Sequence, residues 1–135
     1  MTGLAGPPSN GLVSRAFAGQ DIPALRLLVA EQLELAGLPP RRRDEVVLAI
    51  DEVITNSVRH GGGRGRLEIW VAGGRLWFQI TDQGSGMAQV PAPRRPAPTE
   101  PGGRGLWIAR QLTDDLHITT GPGGTSVNGV VDLPR

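Results

Sequence analysis

With 135 residues, a formal net charge of +1 and 39% apolar residues, the sequence fits one globular domain with its own core. Nothing in that balance demands nucleic acid or an anionic membrane. The absence of cysteine excludes disulfides, thiolate metal sites and cysteine nucleophiles, and the absence of lysine removes the phosphate-binding lysine of P-loops, the strand lysine of eukaryotic-type kinases and Schiff-base chemistry. A chain of this make-up that handles a nucleotide needs another architecture.

Residues 1–11 read as a disordered Gly/Pro tail without the basic and apolar segments of a secretion signal. No apolar run approaches the ~20 residues that span a bilayer, so a cytoplasmic protein without membrane contact is expected. Residues 12–135 read as a single domain. Leu12 to Phe17 suits a first strand, and Gly19-Gln20-Asp21 offers a turn and an N-cap ahead of Pro23. Leu25, Leu28, Val29, Gln32, Leu33 and Ala36 then keep helical spacing until Gly37. Pro39-Pro40 breaks the chain, and a second helix should run from Arg41 or Arg42 to about His60, before Gly61-Gly62-Gly63. Its core stripe is Val46, Val47, Ile50, Val53, Ile54 and Ser57.

The period then changes. Leu67, Ile69 and Val71, and again Leu76, Phe78 and Ile80, alternate as in strands, with Ala72-Gly73-Gly74-Arg75 as a hairpin turn between them. Residues 87–101 carry Pro91, Pro93, Pro96, Pro98 and Pro101, which exclude helix or central strand. Helical spacing resumes from Gly105 to Leu112. Two further strands, Leu116 to Thr120 and Ser126 to Leu133, follow around Gly121-Pro122-Gly123-Gly124. Ser126-Val127-Asn128-Gly129 breaks alternation, which predicts a bend there. The order predicts a two-layer α+β sandwich, a mixed, mostly antiparallel sheet with helices on one face.

Four groups of residues can carry chemistry. Glu52 and Asn56 lie one turn apart on the second helix, so their oxygens point the same way, as a hard cation or a water to be deprotonated requires. A solvated helix face explains the same pair. Asp82-Gln83-Gly84-Ser85-Gly86 follows a strand, where a carboxylate can accept a bond from an exocyclic amine and glycines admit a flat ring; it also suits an ordinary turn. Gly102-Gly103-Arg104-Gly105 precedes a helix, whose unpaired N–H groups bind phosphate without lysine, with Arg104 adding charge. A flexible helix start is the alternative. Gly123-Gly124-Thr125 opens the last strand.

In this order the groups resemble those of the GHKL ATPases, the Bergerat or histidine-kinase-like fold, over about residues 12 to 133. Glu52 to Asn56 looks like the N box, Asp82 to Gly86 the first glycine box, and Gly103-Arg104-Gly105-Leu106 the second. Within that superfamily, Glu52 to Gly61 and Gly103 to Leu116 are similar to the small anti-sigma-factor serine kinases of bacteria. The resemblance implies ATP and Mg²⁺ as cofactors, with Asn56 on the metal and Glu52 as general base. It implies Asp82 on the adenine amine, with Gly84, Gly86 and Thr125 shaping that pocket. Gly103, Arg104, Gly105 and Leu106 would meet the phosphates, and residues 87–101 would be the ATP lid. It further implies a sigma factor and a STAS-type anti-anti-sigma protein as partners, often with a homodimer, and no direct nucleic-acid contact.

Two other functions remain open from sequence. The proline-rich lid suits a non-catalytic module that senses ATP and binds a partner. A detached histidine-kinase catalytic domain would need a phosphoaccepting histidine on a dimerisation helix, and neither His60 nor His117 is so placed. His60, in a helix's last turn, suits the helix dipole. Trp70, Trp77 and Trp107 read as core residues rather than a stacking surface for bases.

Overall fold

The computed structural model describes residues 11–60, 62–83 and 104–134. Among these residues are five strands and three α-helices: β1 (Val13–Ala18), α1 (Ile22–Leu35), α2 (Pro40–His60), β2 (Arg64–Ala72), β3 (Arg75–Asp82), α3 (Arg104–Leu112), β4 (Asp115–Gly121) and β5 (Gly124–Asp132). The strands form one sheet in the order β1-β2-β3-β5-β4, and each neighbouring pair is antiparallel. The expected α+β sandwich is thus present, with an antiparallel sheet where a mixed one was allowed for. The predicted lid, residues 87–101, lies outside the described residues, as do Gly84, Gly86 and Gly103.

All three helices contribute to one core on one face of the sheet. From the strands come Val13, Phe17, Leu67, Ile69, Leu76, Phe78, Ile80, Leu116, Val127 and Val131, spaced by two as a pleated surface requires. From the helices come Leu25, Val29 and Leu33 of α1, Val46, Ala49, Ile50, Val53 and Ile54 of α2, and Leu106 and Ala109 of α3. Ala49 replaces the expected Val47, which is only partly buried.

Glycine sets several of the turns. At the end of α1, Gly37 takes φ +98°, the Gly37 amide donates to the Glu34 carbonyl and the Leu38 amide to the Leu33 carbonyl. This is a Schellman closure, with Leu38 and Leu33 both buried beside it. Gly73 and Gly74, at φ +62° and +75°, make the two-residue turn joining β2 to β3. Asp21 behaves differently from expectation. Its carboxylate accepts the Ala18 amide at 2.8 Å and makes no cap bond to α1, so it closes the 3₁₀ turn Gly19–Asp21 instead.

The expected bend in the last strand is absent. β5 pairs with β3 from Ser126 to Asp132 and with β4 from Gly124 to Val130 without interruption. Gly129 faces Phe78 across the sheet, and a Cβ on it would collide with the phenyl ring. The residue that spoils the alternation is the bed for an aromatic ring. In β2 the pattern also shifts, since Trp70 is buried and Val71 exposed. Trp70 stacks on its cross-strand partner Trp77, ring centroids 6.3 Å apart and planes within 7°, on the sheet face away from the helices.

Candidate nucleotide site

α2 supplies the first part of the site. Its apolar stripe turns Val46, Ile50, Val53 and Ser57 toward the sheet, which leaves Glu52 and Asn56 half-buried on an adjoining face. α3 packs antiparallel to α2, because Gly105 lies against Glu52 at one end and Arg42 reaches Leu112 at the other. A Cβ on Gly105 would stand 3.0 Å from Glu52 Oε2 and 3.6 Å from the Glu52 carbonyl. Glycine therefore lets the first turn of α3 come up to the Glu52 carboxylate. Leu106 buries its side chain in the core and so anchors that turn, while Arg104 is exposed.

Asp82, the last residue of β3, forms the second part. Its Oδ1 accepts the Thr125 amide at 3.1 Å, and its Oδ2 accepts the Ser57 hydroxyl at 3.2 Å. Thr125 is the second residue of β5, and its hydroxyl shares a 3.0 Å hydrogen bond with that of Thr120. The neighbouring Gly124 takes φ +131°, and a Cβ there would run into the Asp82 carbonyl. Gly65 sits beneath the same cluster, where a Cβ would come within 2.6 Å of the Thr81 carbonyl and 3.1 Å of Ser57 Oγ. Close backbone packing around Asp82 thus depends on two glycines, neither in the glycine boxes read from the sequence.

The fold brings several predicted residues together. Asn56 and Ser57 are consecutive, so the bond from Ser57 to Asp82 holds the Asn56 turn of α2 beside the end of β3. Glu52 stands one turn back, against Gly105. The result is a line from Asp82 and Thr125, past Asn56, to Glu52 and the start of α3. Sequence reasoning missed Ser57, which reads as one more member of the core stripe. Its signal is that a hydroxyl stands in an otherwise apolar stripe, and a buried hydroxyl needs a partner.

Among the described residues, no group of three or more His, Asp or Glu side chains gathers as a metal site. The Asn56 side-chain oxygen, half-buried one turn from the Glu52 carboxylate, is the kind of hard donor that a Mg²⁺ ion takes together with nucleotide phosphates. Also among the described residues, no helix is long and apolar enough to cross a membrane.

No curated protein matches the chain. Among solved structures, the chain is similar to the histidine kinase domain of a blue-light-activated histidine kinase from Erythrobacter litoralis, with 29% identity and a TM-score of 0.58, over 71% of this chain and 50% of that one. It also superposes on the RsbU and RsbW domains of a Mycobacterium tuberculosis protein, with a TM-score of 0.66 and 21% identity over 91% of this chain and 33% of that one. The histidine kinase domain of the E. coli osmosensor EnvZ gives a TM-score of 0.50 and 20% identity over 99% of this chain and 94% of that one. The chain thus spans half the length of the first of these structures and about a third of the second. The sequence pattern of the histidine kinase-like ATPase domain matches residues 18–129, most of the chain and every described element of the site, and the protein belongs to that family.

Proposed function

We propose that the protein is an ATP-dependent serine kinase of the anti-sigma type, which phosphorylates a small STAS-type anti-anti-sigma protein and also binds a sigma factor. The observation that carries this reading is the approach of Gly105 to Glu52. A carboxylate set against a helix start lies where a phosphoryl group and an attacking hydroxyl would meet, as a general base must. Similarity to the RsbW-containing structure supports the partner class.

In this reading Asp82, braced by Thr125, accepts the adenine amine, and the N–H groups at the start of α3 bind the phosphates, with Arg104 nearby for charge. As the resemblance implies, Gly84 and Gly86 would shape the adenine pocket and Gly103 would meet the phosphates. Asn56 would hold Mg²⁺, which supplies charge neutralisation on the phosphates. Glu52 would take the serine proton as the hydroxyl attacks the γ-phosphorus, and the bond to the leaving ADP oxygen breaks. Residues 87–101 would close over the nucleotide and exclude water, which favours transfer to serine over hydrolysis.

A second reading has its own motivation in the prolines of residues 87–101. A lid stiffened by them would close poorly, leaving an ATP-sensing module that binds partners without turnover. The two are separated by calorimetric titration of Mg·ATP and by phosphate transfer to a purified STAS-type protein. The kinase reading expects micromolar ATP binding that is lost in Asp82→Asn. It also expects Glu52→Ala to lower transfer by at least ~100-fold while binding changes little. Binding and partner capture without transfer in the wild type favour the sensor; transfer undiminished in Glu52→Ala refutes the assigned base.

A further inference from the structure

Ser57 and Thr125 are the two buried polar side chains among the described residues, at 4% and 7% exposure, and both converge on Asp82. Thr125 reaches it through the backbone, at the start of β5. Ser57 reaches it through a side chain, from the core stripe of α2. We infer that Ser57 is a positioning residue for base recognition: it sets the orientation of the Asp82 carboxylate and thereby the discrimination for a 6-amino purine. This rests on the reading that Asp82 receives the adenine amine.

A serine inside a helix commonly turns its hydroxyl back to the carbonyl four residues earlier. Here the hydroxyl instead stands 3.2 Å from Asp82 Oδ2. A carboxylate accepts only, so the serine must donate. The terminal torsion of an aspartate is broad, and one donor on one oxygen leaves the other free to swing. The Thr125 amide on Oδ1 and the Ser57 hydroxyl on Oδ2 together fix the plane of the group. A carboxylate offers about four acceptor sites, of which the Ser57 hydroxyl and the Thr125 amide take two. Its fixed edge rewards an amino group and opposes the carbonyl that guanine carries at the same ring position.

The surroundings are built for this hydroxyl. Gly65 lies under it, and a Cβ there would approach Ser57 Oγ to 3.1 Å while meeting Phe17 Cζ and the Thr81 carbonyl at 2.6 Å. Alanine at 57 would fill the apolar stripe equally well, so packing alone does not require the oxygen.

The test compares two probes, ATP and the triphosphate of purine riboside, which lacks the 6-amino group. Each is titrated with Mg²⁺ into the wild type, Ser57→Ala, Asp82→Asn and the double variant. Ser57→Ala should weaken ATP about fivefold to tenfold, the scale of one net hydrogen bond, and the amine-free nucleotide by less than about twofold. In the Asp82→Asn background the serine change should add less than about twofold for either probe. Ser57→Cys, near in volume with a weaker donor, should fall between wild type and alanine and serves if the alanine variant folds poorly. Equal losses for both probes, or no loss for ATP, would overturn the assignment of Ser57 while leaving the nucleotide site intact. Wild-type protein that does not bind ATP, or Asp82→Asn that binds it normally, would instead remove the reading beneath it, and the role of Ser57 with it.

Discussion

Gly129 and Phe78 face each other across β5 and β3, and the ring occupies the space where a side chain on Gly129 would stand. Phe78 is fully buried at the middle of the core, so it has no room to retreat. Gly129→Ala must therefore push the phenyl ring off its rotamer or part the two strands. Overpacking of this kind costs about 1–3 kcal/mol, and the depth of this overlap puts the expected loss near ~3 kcal/mol. Urea unfolding checks it, with a lower midpoint and an unchanged slope. From the sequence Gly129 looked like a fault in a strand, because the ring it accommodates belongs to another strand and its register is not written locally. Ser57 was obscured for a related reason. Periodicity placed it in the core stripe correctly but says nothing of a carboxylate arriving from β3. By contrast, Glu52, Asn56 and Asp82 were legible, because charge and amide spacing on a helix and a carboxylate at a strand's end are local patterns.

Among the elements, α3 is short, nine residues, and its position matters more than its own stability. Its far end is clipped by Arg42, whose Nη1 donates to the Leu112 carbonyl at 2.7 Å and to Glu45 at 3.1 Å, with Nη2 3.4 Å from Asp114. Asp114 in turn accepts the Asp132 amide at 2.7 Å, which ties the start of α2 and the end of α3 to the last residue of β5. The bond to a helix's terminal carbonyl is charge-assisted and follows the helix dipole. The ion pairs are partly exposed and count for less. Arg42→Ala should destabilise by about 1–2 kcal/mol, most of it surviving high salt, as chemical denaturation at two ionic strengths would read. Of the three arginines after Pro39-Pro40, Arg41 is exposed, but Arg42 and Arg43 are half-buried, and Arg43 pairs with Glu34 of α1. Element order and most boundaries were readable from periodicity and from Gly37, Gly73 and Gly74. The displaced details, Asp21 bonding to Ala18 and Trp70 taking the place of Val71, arise from contacts made only once the sheet has formed.

At the scale of the whole molecule, the site joins segments far apart in the chain. Asp82 holds α2 through Ser57 and β5 through Thr125, while Glu52 meets α3 across Gly105. A nucleotide lying from Asp82 to the start of α3 would therefore contact both the sheet's end and the helix layer, and none of those contacts survives unfolding. Binding to the native state alone raises stability by RT ln(1 + [L]/Kd), about 2.7 kcal/mol at a hundredfold excess over Kd. For a domain of this size that is a rise in melting temperature on the order of 10 °C. Calorimetric melting with and without Mg·ATP should show that shift in the wild type and in Glu52→Gln, whose contribution falls on transfer rather than on holding the base. Asp82→Asn should abolish it. The control matters, because Asp82→Asn also weakens the links to Ser57 and Thr125 and should lower the melting temperature of the unliganded protein. The decisive quantity is therefore each variant's shift on adding nucleotide, not its absolute melting point. A full shift retained in Asp82→Asn would mean that ATP is held by the phosphate end alone and that the cluster around Asp82 serves the fold. A shift lost there and kept in Glu52→Gln would separate base recognition from catalysis within one small domain.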